Sequence, residues 1–115
     1  MAKVGIIRCR QTEDLCGGAL DFHCAAKGKG AFEEFGSCQV VGFVSCGGCP
    51  GKRAVARAQM LCDKGAEVVV LASCITKGTP LDFPCPHREI MLQAIRKKLG
   101  DKVPVLDYTH QVPKH

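Results

Sequence analysis

The sequence predicts a small three-layer α/β sandwich in which helices cover both faces of a four-stranded parallel sheet. Four short aliphatic runs, rich in β-branched residues, recur along the chain. Each run is nearly continuous rather than alternating, which is typical of strands buried on both faces. Segments with helical periodicity separate the runs, and strand–helix–strand repeats build parallel sheets with right-handed crossovers.

The aliphatic runs give the four predicted strands, at residues 4–7, 40–44, 68–71 and 103–106. Pro104 interrupts the last run, and because proline cannot donate a ladder hydrogen bond, this strand belongs at an edge of the sheet. The strand order 2-1-3-4 satisfies this condition and places helices on both faces, as in flavodoxin-like or Rossmann-like folds. We therefore expect that order.

Apolar residues at helical spacing predict three helices between the strands. The predicted inward faces are Leu15, Ala19, Phe22 and Ala26 in the first helix, Ala54, Val55, Ala58, Leu61 and Cys62 in the second, and Ile90, Met91, Ala94, Ile95 and Leu99 in the third. Thr12 is the expected N-cap of the first helix, and Gly65 and Gly100 are the expected ends of the second and third. Residues 28–36 form either a short helical turn or a surface loop.

Length and composition indicate one domain, residues 1–115, with an ordinary core. The chain has 115 residues, of which 46% are hydrophobic and 23% charged. No apolar run approaches the roughly 20 residues that span a bilayer, so we expect no membrane segment. The net charge of +5 comes from scattered basic residues, which argues against a nucleic-acid partner. The first eight residues fit a strand better than a signal peptide, which predicts a cytoplasmic protein.

The nine cysteines are the most informative feature of the sequence: Cys9, Cys16, Cys24, Cys38, Cys46, Cys49, Cys62, Cys74 and Cys85. An odd count and the lack of a predicted signal peptide argue against a disulfide scaffold. In a reducing compartment this usage indicates metal binding or thiol chemistry. Cys38 and Cys62 are expected to be small buried hydrophobes, and of the neighbours His23 and Cys24 one should face solvent.

Several of these residues follow a predicted strand. Cys9 follows the first strand, Cys46 and Cys49 the second, Cys74 the third, and His110 the fourth. The carboxyl ends of parallel strands meet at one edge of a sheet, where open α/β folds bind their ligands. Two further groups of cysteines and histidines are placed to reach this edge: Cys85 and His87 in the loop after the third strand, and Cys16 at the start of the first helix. We expect a thiol-rich site there.

Cys46-Gly47-Gly48-Cys49 is the sharpest local motif. A two-residue spacer lets both sulfur atoms bind one metal ion, and glycine permits the positive φ that a tight turn needs. The pair also opens the second helix, whose free N–H groups and dipole can stabilise a thiolate. The spacing does not fit a tyrosine-phosphatase loop, because the arginine lies one position too far along, nor a phosphate-binding P-loop.

Residues 42–52, which contain this motif, resemble the sequence pattern of the CGGC domain family, small Cys- and His-rich proteins of anaerobic bacteria and archaea. The resemblance continues nearly end to end, through residues 7–9, 72–75, 77–80, 84–86 and 107–110. It implies a metal-binding protein, for which zinc is often suggested. The matching candidate ligands are Cys9, Cys16, Cys46, Cys49, Cys74, Cys85 and His110, whereas Cys24, Cys38 and Cys62 lie outside the pattern.

Three hypotheses follow from the sequence. The first is a protein that binds zinc or an iron–sulfur cluster through Cys9, Cys46, Cys49 and Cys74, with Cys16, Cys85 and His110 as alternates. The second is a thiol–disulfide redox protein that uses the Cys46/Cys49 pair, with a redox partner protein. The third is an anion site at the start of the second helix with Lys52 and Arg53. Whether the protein is an enzyme stays open.

Overall fold

The computed structural model describes residues 2–8, 19–47, 53–72, 75, 87–100 and 103–106. Within these ranges the strands are β1 (Ala2–Arg8), β2 (Cys38–Ser45), β3 (Val68–Leu71) and β4 (Val105–Leu106). The α-helices that connect them are α1 (Ala19–Lys27), α2 (Arg53–Asp63) and α3 (Arg88–Leu99). All strand pairs are parallel and the order is β2-β1-β3-β4. This confirms the predicted topology, including the edge position of the strand after Pro104.

Two neighbouring residues of β2 show that helices lie on both faces of the sheet. Gly42 lies against Leu61 of α2, whereas the ring of Phe43 packs on Phe22 of α1, with 4.8 Å between ring centroids. Successive residues of a strand point to opposite faces, so α1 and α2 cover different faces. Because α3 packs against α2 and β4, the three predicted layers are present.

A glycine notch sets how closely α2 approaches the sheet. Gly5 of β1 and Gly42 of β2 are register partners, and Leu61 fills the space above both. A Cβ atom at Gly42 would lie 2.2 Å from Cδ2 of Leu61, and one at Gly5 would lie 2.9 Å from Cδ1. A Cβ atom at either position would require the Leu61 side chain to move, so the two glycines let α2 pack directly on the two strands.

A β-bulge aligns the two glycines. The pairing passes from Val4 with Val40 to Gly5 with Gly42, which leaves Val41 as an extra residue in β2. An inserted residue shifts the rest of the strand by one position relative to its neighbour. The bulge therefore sets which residues of β2 face α2, from Gly42 onwards.

Aliphatic side chains form the core around the two central strands. All four residues of β3 are buried, as are Val4, Ile6 and Ile7 of β1. Residues 28–36 include a 3-10 helix at Gly30–Phe32, which is the helical turn rather than the loop of the two predicted alternatives. It places Phe32 in the core with no exposed surface.

The second helix buries Ala54, Ala58 and Leu61 as predicted, whereas Val55 and Cys62 of the predicted face are half-buried. The predicted chain reversals after the helices also hold, because Gly65 and Gly100 adopt φ values of 109° and 70°. Glycine adopts such angles without the steric cost that a Cβ atom brings. No helix in the described ranges is both long enough and apolar enough to cross a bilayer.

The predicted face of the first helix was wrong where the structure describes it. Phe22 is 40% exposed and Ala26 is exposed, whereas Asp21, Cys24 and Ala25 are buried. The physical reason is the position of Phe43 on the outer strand β2: the Phe22 ring packs on it at the margin of the sheet and stays half in solvent. Thr12, Leu15 and the side chain of Ala19 lie outside the described part.

The face of the third helix was partly wrong. Met91 and Ile95 are buried as predicted, but Ile90 is 74% exposed and Leu92 takes its place. α3 packs against both α2 and β4. The side of the helix that faces these two elements carries Leu92, whereas Ile90 lies on the solvent side.

Candidate metal centre

Of the predicted ligands, Cys46 lies in the described part of the chain. The others lie outside the described residues: Cys9, Cys16, Cys49, Cys74, Cys85 and His110. The structure therefore defines the site through Cys46 and through the strand ends to which the other ligand segments are joined.

Cys46 lies directly beyond β2 and is held firmly there. Its side chain is 5% exposed and belongs to the core cluster, and its thiol is free. Its amide donates a hydrogen bond of 2.8 Å to the carbonyl oxygen of Arg8. The β1–β2 pairing thus extends one residue past the strand, and the thiol lies at the carboxyl edge, where the sequence predicted it.

The strands that precede three of the predicted ligands are neighbours in the sheet. Arg8 pairs with Ser45, and the amide of Ala72, just beyond β3, donates a 2.9 Å hydrogen bond to the carbonyl oxygen of Ile7. In the sequence, Cys9 follows Arg8, Cys46 follows Ser45, and Cys74 comes two residues after Ala72. Three cysteine-bearing segments therefore start from adjacent strands at one edge of the sheet.

Gly47 has a backbone that favours glycine. Its φ is 84°, as predicted for a glycine in this turn. A Cβ atom there would also lie 2.6 Å from Cβ and 3.1 Å from Cδ of Arg53. The aliphatic part of the Arg53 side chain thus lies against the Cα of Gly47, and any larger residue at position 47 is excluded on two grounds.

Ser45 and Arg57 complete the surroundings of Cys46. The Arg57 Nη1 donates to both the carbonyl oxygen and the Oγ of Ser45, at 3.1 Å and 3.0 Å. The Ser45 Oγ also accepts a 3.2 Å hydrogen bond from the amide of Gly47. Sequence reasoning missed this network. The four-residue spacing of Arg53 and Arg57 and the serine directly before the C-x-x-C pair were the available signals.

A second arginine contact lies on the opposite face of the sheet. The Arg8 guanidinium carbon lies 5.5 Å from the centre of the Phe43 ring, within cation–π range. Phe43 in turn packs on Phe22. Positive side chains thus come from both sides of the carboxyl edge next to Cys46, Arg8 on the α1 face and Arg53 and Arg57 on the α2 face.

Cys24, Cys38 and Cys62, which lie outside the family pattern, have a different environment. Burial raises the pKa of all three thiols, and Asp21 and Asp63 raise the pKa of Cys24 and Cys62 further. The Cys38 thiol donates to the carbonyl oxygen of Gly36 at 3.2 Å. Cys38 and Cys24 are buried and His23 is exposed, which confirms Cys38 as a small buried residue and the expected division between His23 and Cys24. Cys62 was also expected to be buried, but it is only half-buried.

The described residues do not by themselves form a complete metal site. Among them, no group of three or more His, Cys, Asp or Glu side chains is placed to hold a metal ion. His87, the residue before α3, is half-buried. A centre at this edge therefore requires ligands from segments beyond the described ranges.

The fold and the loop around Cys46 define a small parallel α/β domain with a C-x-x-C motif at the carboxyl edge of its sheet. The chain belongs to the CGGC domain family, whose model matches residues 3–110. This confirms the family resemblance found in the sequence.

Two relatives come from Methanocaldococcus jannaschii. One is an uncharacterized protein that is 34% identical over an alignment of length 120, which covers 97% of this chain and 89% of that protein. The other, also uncharacterized, is 41% identical over 61 residues, which cover 52% of this chain and 86% of that protein. No solved structure matches the chain.

Proposed function

We propose that the protein binds a metal centre, either zinc or an iron–sulfur cluster, through cysteine thiolates at the carboxyl edge of the sheet. The proposed ligands are Cys9, Cys46, Cys49 and Cys74, with Cys16, Cys85 and His110 as alternates. Thiolate-rich donor sets suit both kinds of centre. The proposal includes a reducing, cytoplasmic setting, because free thiols persist there.

The position of Cys46 carries this proposal. Its thiol is buried at the end of β2, and its amide is bonded to the residue that precedes Cys9. Membership of the CGGC domain family, the order of the strands and the two-residue spacer to Cys49 support it further. A zinc ion would be redox-silent and serve structure or transfer, whereas a cluster would serve electron transfer with a redox partner protein or sensing.

The burial of Cys46 also bears on the thiol–disulfide alternative. A reactive thiol must be reached by its substrate and is typically part-exposed. Cys46 is 5% exposed, so in a redox protein it would be the thiol that resolves the mixed disulfide rather than the one that attacks. A metal ligand has no such need for exposure, and for this reason we favour the metal centre.

Elemental analysis and a visible spectrum test the proposal on untagged protein that is purified without oxygen. We expect about one zinc ion per chain without visible absorbance, or iron with sulfide and a broad visible band. A metal-free protein in which all thiols react with a thiol reagent, and in which Cys46 and Cys49 form a reversible disulfide, would favour the redox alternative.

Two matched substitutions locate the centre. Cys46→Ser and Cys24→Ser each replace a buried thiol by a hydroxyl, at side chains that are 5% and 6% exposed. We expect Cys46→Ser to lose most of its metal and Cys24→Ser to keep it. Full metal content in Cys46→Ser would show that this thiol is not a ligand.

A further inference from the structure

Arg57 of α2 makes two hydrogen bonds to Ser45, the residue before Cys46. It lies one turn into α2, part-buried, with its Nη1 between the carbonyl oxygen and the Oγ of Ser45. Among the described residues no carboxylate pairs with it. Arg57 thus brings a guanidinium, a planar cation with several N–H donors, to this end of the sheet.

The Ser45 hydroxyl links Arg57 to Gly47, the residue that follows Cys46. Its oxygen accepts one hydrogen bond from Arg57 and one from the amide of Gly47. A hydroxyl has two acceptor lone pairs, so both are used. Arg57 therefore fixes the residue before Cys46 directly and the residue after it through Ser45.

Cys46 is thus held on three sides. Its own amide is bonded to Arg8, Ser45 is bonded to Arg57, and Gly47 is bonded to Ser45. These three bonds restrain the backbone of residues 45–47. They therefore restrain the direction in which the Cα–Cβ bond of Cys46 points.

We propose that Arg57 is a positioning residue for the thiolate centre: through Ser45 it orients Cys46, and its charge offsets the negative charge of the bound thiolates. Four thiolates around a divalent ion carry a net charge of about −2, which a nearby fixed cation stabilises. This inference rests on the proposed metal function.

Three substitutions separate the two roles of Arg57. Arg57→Lys keeps the charge, Arg57→Gln keeps two N–H donors without the charge, and Arg57→Met keeps the apolar length alone. Arg96→Met is the matched control, because the Arg96 Nη2 also donates to a strand carbonyl, that of Val105 at 3.1 Å, on the opposite edge strand.

The experiment titrates the metal-free protein and each variant with Co²⁺, which reports ligand geometry through its visible spectrum, in competition with a chelator. Residues that orient metal ligands typically contribute about 10- to 100-fold to affinity. We expect a loss of that size and an altered spectrum for Arg57→Met, a partial recovery in Arg57→Lys and in Arg57→Gln, and wild-type behaviour for Arg96→Met.

The outcomes separate this inference from the proposed function. If the wild type fails to bind Co²⁺, the zinc form of the proposed function falls and this inference falls with it. If the wild type binds and Arg57→Met matches its affinity and spectrum, only the role of Arg57 is overturned. Should Arg57→Met fail to fold, Ser45→Ala decides: it removes the bond to Gly47 and must also weaken binding and alter the spectrum.

Discussion

Carboxylates lie beside the thiols of Cys24 and Cys62, whereas arginines flank Cys46. Asp21 and Asp63 add to the effect of burial and raise the pKa of the first two thiols. Arg53 and Arg57 contact the residues on either side of Cys46. The thiols outside the family pattern thus have raised pKa values, whereas the residues on either side of Cys46 lie against arginine side chains.

Alkylation tests this division of the thiols. Because the pKa values of Cys24, Cys38 and Cys62 are raised, their reaction with iodoacetamide should accelerate only above about pH 8.5, the ordinary value for a thiol. Mass spectrometry of peptides from protein labelled at a series of pH values gives the midpoint for each site. The urea-unfolded chain, in which these thiols titrate normally, is the control. Midpoints at or below that value in the folded protein would contradict the assignment.

The same three thiols should make stability depend on pH in a defined direction. Their pKa values are higher in the folded than in the unfolded chain, so the folded state binds more protons between the two values. Their contribution is fully present below the unfolded pKa, about 8.5, and is lost as pH rises through the folded value. Urea unfolding below the unfolded thiol pKa, at roughly pH 7, and above it, at roughly pH 10, measures the loss. A Cys24→Ala/Cys38→Ala variant should show a smaller loss, and an equal loss would assign the effect to other groups.

At the scale of elements, the contact between α2 and the sheet governs the geometry of the candidate site. Leu61 lies in the notch of Gly5 and Gly42, and Arg53 and Arg57 project from the same helix toward residues 45–47. A shift of α2 away from the notch would move both arginines. The glycines in the strands therefore matter for residues that lie several positions away at the end of the sheet.

Gly42→Ala tests the notch. The added methyl group would overlap Cδ2 of Leu61, and overpacking of this kind costs about 1–3 kcal/mol of unfolding free energy. Leu61→Ala should cost about 2–5 kcal/mol through the cavity that it leaves. The double variant should cost less than the sum, because the new methyl group enters the vacated space. Urea unfolding of the four proteins closes this cycle, and additive costs would show that the two residues do not share a notch.

The sequence predicted the elements better than their orientations. All four aliphatic runs are strands, and Pro104 correctly placed the last one at an edge. The face of α1 was wrong because Phe22 packs on Phe43 at the margin of the sheet, a contact that periodicity does not encode. Arg57 was missed for a related reason. Its hydrogen bonds to Ser45 depend on where α2 packs on the sheet, and that position depends on Leu61 and on the bulge at Val41.

For the candidate site, the prediction rested mainly on the order of the strands. Cysteines that follow different strands are far apart in sequence, and only a parallel sheet brings their segments to one edge. The described ends of β1, β2 and β3 lie side by side, and Cys46 lies at that edge. The roles of the predicted ligands beyond the described ranges stay predictions, because the presence of a thiol in the sequence does not determine which other side chains lie next to it.

For the whole molecule, most of the buried core lies apart from the candidate centre, and Cys46 is the described residue that belongs to both. The buried residues of β1 and β3 are aliphatic and lie within the sheet, whereas the cysteine segments follow the strand ends. A zinc finger, by contrast, lacks a core of its own and unfolds without its metal. The sheet of this protein is built around an aliphatic core of its own.

We therefore expect the protein to stay folded after metal is removed with a chelator. Far-ultraviolet circular dichroism should keep the signal of the mixed α/β fold, while the melting temperature falls, because a ligand that binds the native state stabilises it. Cys46→Ser without chelator should melt close to the metal-free wild type. Loss of the dichroism signal on chelation would show that the metal, rather than the aliphatic core, holds the sheet together.

The central position of β1 also orders events during folding. β1 leaves the ribosome before β2 and β3, yet it lies between them in the sheet, and the hydrogen bond from the Lys3 amide to the Glu67 carboxylate joins residues 64 positions apart. Contacts between residues far apart in sequence form late, because closing a long loop costs entropy before the contacts stabilise the fold. A centre whose ligands follow β1, β2 and β3 cannot be assembled until residue 71 has paired, so under the proposed function metal would be bound only after these three strands have come together.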